Sequence, residues 1–204
     1  AIGCTLVGPT IAHLSSDLIF NPMQIAFLSS AVFIGLSISS LIAGRFADKH
    51  GFERMLPLAS VFLMLSAIVL YFASDFLSFC AGFILIGVCG GVVQSSTNPL
   101  VSQLFPEKKG AALNALHIAW SLGAFTGPAL AGYFFARYFF KTPFLAVLML
   151  GIVFLLFTPL FHVKVKKYLI RPSKVKKRVF SAKLLILIII AFFYWGSEQS
   201  INMW

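Results

Sequence analysis

Long apolar stretches alternate with short polar links along the whole chain. A helix needs about 20 mostly apolar residues to cross the hydrocarbon core of a bilayer, and these stretches approach that length. The links hold residues that begin, end or reverse helices. They are Asn21-Pro22, Asp48 with Gly51, Ser74-Asp75, Pro106-Glu107, Lys141-Thr142-Pro143 and Arg171-Pro172. The pattern predicts seven membrane spans, the first and last truncated: residues 1–16, 23–43, 55–73, 76–103, 111–136, 142–161 and 182–204.

The composition is that of a membrane protein. Hydrophobic residues make up 59% of the chain, charged residues only 11%, and the mean hydropathy is +0.95. A soluble domain carries about 25% charged residues, so a soluble globular fold is excluded. Ala1 and Trp204 both lie inside apolar stretches, and we therefore expect the chain to be part of a longer protein.

The basic residues predict the orientation. The net charge is +10, and fourteen of the sixteen Lys and Arg residues fall in the links after spans 2, 4 and 6 or, for Lys183, in the first turn after the last of these links. Links rich in Lys and Arg stay in the cytoplasm, which places the N-terminus there too. Because orientation accounts for these charges, we expect the lipid bilayer as a partner and no nucleic acid. The chain then divides into an N-terminal bundle (1–161), a basic cytoplasmic linker (162–181) and the first helix of a second bundle (182–204).

Reactive side chains form no recognisable catalytic or metal cluster in the sequence. Cys4, Cys80 and Cys89 lie in apolar stretches, where cysteine serves as a small packing residue. The Ser–His pairs have no orienting acid within the membrane. We expect neither an enzyme nor a cofactor.

Polar side chains inside a span are costly, so each should be either paired or functional. Gln94 and Asn98 are four residues apart on span 4 and share one face, where they could form a hydrogen-bonding wall for a polar solute. The Asn98-Pro99 pair is expected to interrupt span 4 and free backbone carbonyls toward a cavity.

Span 5 carries a second polar stripe, formed by Asn114, His117 and Ser121 with Trp120 beside it. A lone intramembrane histidine suits a helix–helix hydrogen bond as well as a ligand or proton site. Trp120 could stack on a sugar ring or pack within the bundle.

Span 7 contains the acidic residue farthest from any link. Glu198 lies about 22 Å beyond Lys183 along the helix, well inside the bilayer. Asn202 follows one turn later on the same face. Glu198 is a candidate for solute contact and for carrying protons as the coupling ion; the alternative is a structural partner for another helix.

Small residues give the spans close contact surfaces and an internal repeat. Close helix contacts are expected at four glycines of span 4 and three of span 5: Gly82, Gly87, Gly90 and Gly91, and Gly123, Gly127 and Gly132. Spans 1–2 and 4–5 match at a fixed offset of 88 residues and run in opposite directions. The matching pairs are Gly35 with Gly123, Ala43 with Ala131, Gly44 with Gly132 and Phe46 with Phe134. Inverted repeats place the solute site of secondary transporters near the membrane midplane.

The charged link between spans 2 and 3 carries the most specific pattern. Its first glycine should permit close backbone approach, its aspartate should satisfy helix-end N–H groups, and its second glycine should reverse the chain. It resembles the motif G-x-x-x-D-[RK]-x-G-[RK]-[RK] between helices 2 and 3 of the major facilitator superfamily, where it acts as a conformational-switch loop. The two basic positions after the second glycine are unmatched. The motif residues are Gly44, Asp48, Lys49, Gly51 and, one position late, Arg54.

Further resemblance points to fucose-permease-type sugar/proton symporters, through residues 97–101, 114–117 and 194–204. Gln94 stands where that family has a Glu, and span 1 lacks its Asp, so the familiar proton route is in question. The resemblance implies an all-α integral membrane bundle of the major facilitator type, built from inverted three-helix repeats. It implies a monomer in the inner membrane of the cell that moves a small polar, sugar-like solute by alternating access.

Two other readings remain open. Gly123-x-x-x-Gly127-Pro128 resembles a motif in helix 5 of drug/proton antiporters, which favours an efflux antiporter of the same fold. The missing acids on spans 1 and 4 also allow a membrane receptor or scaffold that has lost transport.

Overall fold

The computed structural model describes residues 5–11, 20–51, 54–138, 141–158 and 189–190. Every regular element in these ranges is a helix. The elements are α1 (described over residues 7–11), α2 (Pro22–His50), α3 (Met55–Phe72), α4 (Phe76–Leu104), α5 (Lys109–Arg137) and α6 (Thr142–Phe157). Helix numbers therefore match the predicted spans, and the all-α fold class is confirmed.

Contacts divide the chain into two compact units, residues 1–163 and 164–204. In the second unit, residues 189 and 190 are described and are helical. The rest of the predicted linker and of span 7 lies outside the described residues. In the first unit, α2, α3 and α4 are each long and apolar enough to cross a membrane, and α6 is apolar but shorter, with 16 residues.

Two helices begin at the capping residues that the sequence places there. Asn21 Oδ1 accepts a hydrogen bond from the Gln24 backbone N–H at 2.8 Å, and Gln24 Oε1 accepts one from the Asn21 N–H at 3.0 Å. Asp75 and Ser78 form the same reciprocal capping box at the start of α4. These bonds satisfy N–H groups that the helix itself leaves without acceptors.

The boundary predicted after Ala43 is wrong, because α2 continues to His50. Arg45 and Lys49 therefore lie on the helix and not in a turn. Loss of hydrophobicity marks where a span leaves the hydrocarbon, but Lys and Arg are good helix formers and extend the helix beyond that point. The chain reverses after Gly51, whose φ is +88° and whose N–H donates to the Ala47 carbonyl at 2.8 Å. This confirms the predicted role of Gly51.

The predicted interruption at Asn98-Pro99 is also wrong, since α4 is continuous from Phe76 to Leu104. Proline removes a single N–H donor from the ladder, the one that would otherwise reach the Ser95 carbonyl four residues earlier, and the loss of one bond does not end a helix of 29 residues.

Helices α2 and α4 share the most extensive contact among the described elements. A Cβ at Gly35 would strike the Ile84 carbonyl, one at Gly87 the Val32 carbonyl, and one at Gly91 the Ser39 hydroxyl. We call these three residues the glycine seam. Backbone meets backbone here, and the close contact expected at Gly87 and Gly91 is confirmed.

Helix α3 contributes to two apolar clusters. One joins it to α2 and α4, and the other joins it to α5, α6 and the segment before α1. The first contains Ala43, Ala47, Met55, Ala59 and Val92. The second contains Leu6, Ala67, Ala131 and Val147. The C-terminal end of α3 also contacts the α5–α6 link, because Lys141 Nζ donates a hydrogen bond to the carbonyl of buried Ala73 at 2.6 Å.

Candidate functional site

The first candidate surface is the α4 polar stripe, formed by Gln94 and Asn98. The two side chains are one helical turn apart and half-buried. The Asn98 backbone carbonyl accepts the Ser102 hydroxyl, but among the described residues no hydrogen bond reaches either side-chain amide. A side-chain amide offers two N–H donors and a carbonyl acceptor. This surface can therefore both donate hydrogen bonds to hydroxyl groups and accept hydrogen bonds from them.

The second candidate surface is the α5 polar stripe, formed by Asn114, His117 and Trp120. All three side chains are exposed, Trp120 by 44%. Ser121 Oγ donates to the His117 carbonyl at 3.0 Å, which leaves the imidazole itself out of that bond. Within the described residues, no hydrogen bond links the α5 polar stripe to the α4 polar stripe, although the two helices touch.

Sparse packing explains why the α5 stripe is open. Gly127 and Ala131 are the buried residues of α5, and its first half is largely exposed. The expectation of close contact at Gly132 is wrong for the part of the chain that the structure describes, because a Cβ there would meet nothing within 4 Å. A helix held near one end presents the polar residues at its other end to solute or to another part of the protein.

The charged link is only partly as expected. A Cβ at Gly44 would meet nothing within 4 Å, so the predicted close approach at this glycine is not found in the described part of the chain. Lys49 and Arg54 are exposed, and the Asp48 backbone belongs to the last turn of α2 while its side chain lies outside the description. The roles assigned to Asp48, Lys49 and Arg54 stay predictions.

The residues predicted on span 7 lie outside the described residues. Glu198 and Asn202 therefore keep their assigned roles as predictions, including proton coupling by Glu198.

A groove that the polar pattern of the sequence did not indicate runs along α2. It has a volume of about 440 Å³ and is lined by Ser30, Phe33, Ile34, Ser37 and Ile38. Ser30 Oγ donates to the Ala26 carbonyl at 3.0 Å within its own helix. A serine satisfied in this way carries little signal in a sequence, although the spacing of Ser30 and Ser37, seven residues apart on one face of an apolar helix, was visible.

The chain is similar to a known protein family and to individual proteins of known name. The family described as Major Facilitator Superfamily matches residues 1–204. The chain is 29% identical over 147 residues to the multi-drug resistance efflux pump PmrA of Streptococcus pneumoniae, covering 70% of this chain and 37% of that protein.

Relatives named for sugars match as well. Identity is 23% over 130 residues to the sodium-dependent glucose transporter 1 of Homo sapiens, covering 64% of this chain and 25% of that protein. Identity to the hexuronate transporter of Bacillus subtilis is 24% over 142 residues, covering 69% of this chain and 33% of that protein. The chain thus spans well under half the length of these relatives.

Proposed function

Because the chain belongs to the major facilitator superfamily, we propose that it forms part of a secondary active transporter for a small polar, sugar-like solute. Transport proceeds by alternating access between two helical bundles, of which this chain supplies the first and the start of the second. The fold belongs to the family, and the solute is inferred from the site.

One observation carries the choice of solute. The amides of Gln94 and Asn98 sit half-buried on a membrane-spanning helix, and no described residue hydrogen-bonds to them. An amide in a span without a partner is costly, which favours a bound polar solute as the missing partner. Uncharged amides match the hydroxyl groups of a sugar better than they match a lipophilic cation.

The neighbouring residues complete the proposed site. Asn114 and His117 on α5 add further hydrogen-bonding groups, and Trp120 offers a ring for stacking on a sugar face. Two of the relatives are named for glucose and hexuronate. Glu198 and Asn202 on span 7 are proposed as further solute-binding residues, with Glu198 exchanging protons as the coupling ion.

The test is uptake of radiolabelled D-glucose and D-glucuronate into liposomes that contain the complete protein. Gln94→Ala should raise KM about tenfold, since one lost hydrogen bond to the solute corresponds to roughly 1.4 kcal/mol. Gln103→Ala is the matched control, because Gln103 is also half-buried on α4 but lies about half a turn around the helix from Gln94. Equal KM values for the two variants would refute the proposed site.

Coupling is tested separately. Glu198→Gln should abolish uptake driven by an imposed pH gradient and leave counterflow exchange intact, because exchange needs solute binding but no net proton movement. If gradient-driven uptake survives this change, Glu198 does not carry the proton.

An efflux antiporter is the second candidate. It is favoured by the 29% identity to the PmrA pump and by the buried Gly127 that precedes Pro128 on α5. Cells that express an efflux pump should accumulate less ethidium whether or not hexose is present. If neither ethidium export nor hexose uptake depends on the protein, a receptor or scaffold becomes the better assignment.

A further inference from the structure

The glycine seam ends at the α4 polar stripe. Along the seam, a Cβ at Gly87 would lie 2.8 Å from the Leu36 nitrogen, and one at Gly91 would lie 2.6 Å from the Leu36 carbonyl oxygen. One turn after Gly91, Ser95 Oγ donates a hydrogen bond to the Ser40 carbonyl of α2 at 3.3 Å. The last contact of the seam is therefore a polar bond between two helices.

This bond differs from those of the hydroxyl groups beside it. Ser96 Oγ donates to the Val92 carbonyl and Thr97 Oγ1 to the Val93 carbonyl, each within α4. Bonds of this kind satisfy a hydroxyl but fix nothing outside the helix. The Ser95 hydroxyl alone among these three restrains the rotation of α4 against α2.

The rotation of α4 decides where the polar stripe points. At about 100° per residue, Gln94 lies about 100° around the helix from Ser95, and Asn98 lies about 60° away on the same side. A contact between glycines and backbone has no directional bond and permits small rotations of α4 about its axis. A hydrogen bond to a fixed carbonyl is directional and favours one rotation of the helix.

We propose that Ser95 is a positioning residue for the solute site, because its bond to Ser40 sets the direction in which Gln94 and Asn98 face. The inference rests on the proposed function for its consequence in transport. Its geometric part, the orientation of residue 94, is independent of which solute is carried.

The geometric part is tested by labelling a cysteine at position 94 with a hydrophilic maleimide. The parent protein carries Cys4→Ser, Cys80→Ser, Cys89→Ser and Gln94→Cys. Adding Ser95→Ala should change the labelling rate at least threefold, and Ser95→Thr, which keeps the hydroxyl, should restore it. Ser96→Ala is the matched control and should leave the rate within a factor of about 1.5. Equal rates for Ser95→Ala and Ser96→Ala would overturn the proposal.

The transport part uses the protein with its native cysteines. Ser95→Ala should raise KM for D-glucose or D-glucuronate roughly threefold to tenfold, while Vmax per folded protein stays within twofold. Ser96→Ala should leave KM unchanged. A fall in Vmax with unchanged KM would indicate a merely structural role and reject the positioning role.

Failure of the two proposals can be told apart. If the protein with its native cysteines and Gln94 takes up neither D-glucose nor D-glucuronate, the solute assignment fails, while the labelling rates of the Gln94→Cys protein still decide whether Ser95 orients position 94. If uptake occurs and Ser95→Ala alters neither KM nor labelling, only the positioning role fails.

Discussion

Asp75 caps the start of α4 through hydrogen bonds with Leu77 and Ser78. Its carboxylate accepts the Leu77 N–H at 3.1 Å, the Ser78 N–H at 3.4 Å and the Ser78 hydroxyl at 2.7 Å, and its own N–H donates to Ser78 Oγ at 3.2 Å. The Ser78 hydroxyl is the main cause that lowers the pKa of Asp75 below its ordinary value of 3.8; burial opposes this, and the backbone N–H groups add to it.

The lowered pKa predicts an acid-sensitive contribution to stability. The charged carboxylate stabilises the folded protein above pH 3.8, and this contribution is lost as the pH falls from 3.8 through the lower folded value. Asp75→Asn keeps a capping side chain without the charge and should flatten that part of the pH profile. Thermal unfolding midpoints measured between about pH 2 and 5 check this.

Glu107→Gln is the control for the Asp75 prediction, since it removes an exposed carboxylate from the next link. It should leave the shape of the acid limb unchanged. Parallel pH profiles for the wild type and Asp75→Asn would contradict the capping account.

Helix pairs in this bundle meet either through side chains or through bare backbone. The contact of α2 with α4 is of the second kind at Gly35, Gly87 and Gly91. Gly82 differs, because its added Cβ would meet the buried side chain of Leu70 on α3 and not a neighbouring backbone. Gly44 differs again, since space is open around it. These five glycines look alike in the sequence but differ in their tolerance of a methyl group.

Gly87→Ala should destabilise the protein by about 1–3 kcal/mol or more, because the methyl group would meet the backbone of Val32 and Leu36. Gly44→Ala should be neutral or stabilise by up to about 1 kcal/mol, since alanine is the better helix former and nothing stands in its way. Thermal unfolding in detergent measures both. A loss of stability at Gly44 as large as that at Gly87 would contradict the packing described for α2 and α4.

For the whole molecule, two basic residues break the charge pattern, and the structure gives each a local partner. Lys141 donates to the Ala73 carbonyl at the end of α3, and the Arg137 guanidinium lies 5.2 Å from the centre of the Tyr133 ring. A lysine at a helix C-terminus and an arginine over an aromatic ring are both stabilised where they stand. The two exceptions therefore need not weaken the orientation argued from the other fourteen basic residues.

The orientation predicts which links can be reached from outside the cell. Single cysteines introduced by Arg54→Cys and Lys108→Cys should be protected from a membrane-impermeant maleimide in intact cells, and Ser74→Cys should be labelled. After the membrane is permeabilised, all three should react. Labelling of position 74 from the same side as the other two would reject both the orientation and the cytoplasmic N-terminus.

Much of the fold could be predicted from the sequence, since helix spans and their caps depend on residues within one or two turns of each other. Apolar length located the described spans, and Asn21, Gly51 and Asp75 marked their ends. The two wrong predictions about helix continuity relied on a local signal that the rest of the helix outweighed. At Ala43 the apolar signal stopped before the helix did, and at Pro99 a residue that disfavours helix was overruled by the rest of α4.

The candidate site could be predicted from the sequence only in part. Periodicity alone placed Gln94 and Asn98 on one face, because the 3.6-residue repeat fixes relative direction within a helix. The sequence could not give the direction of that face in the bundle, nor distinguish the crowded Gly87 from the open Gly44. Those features depend on which backbone atoms of α2 lie against α4, across about fifty residues of chain. Contacts of that range are set by packing of whole helices, and only the tertiary structure decides them.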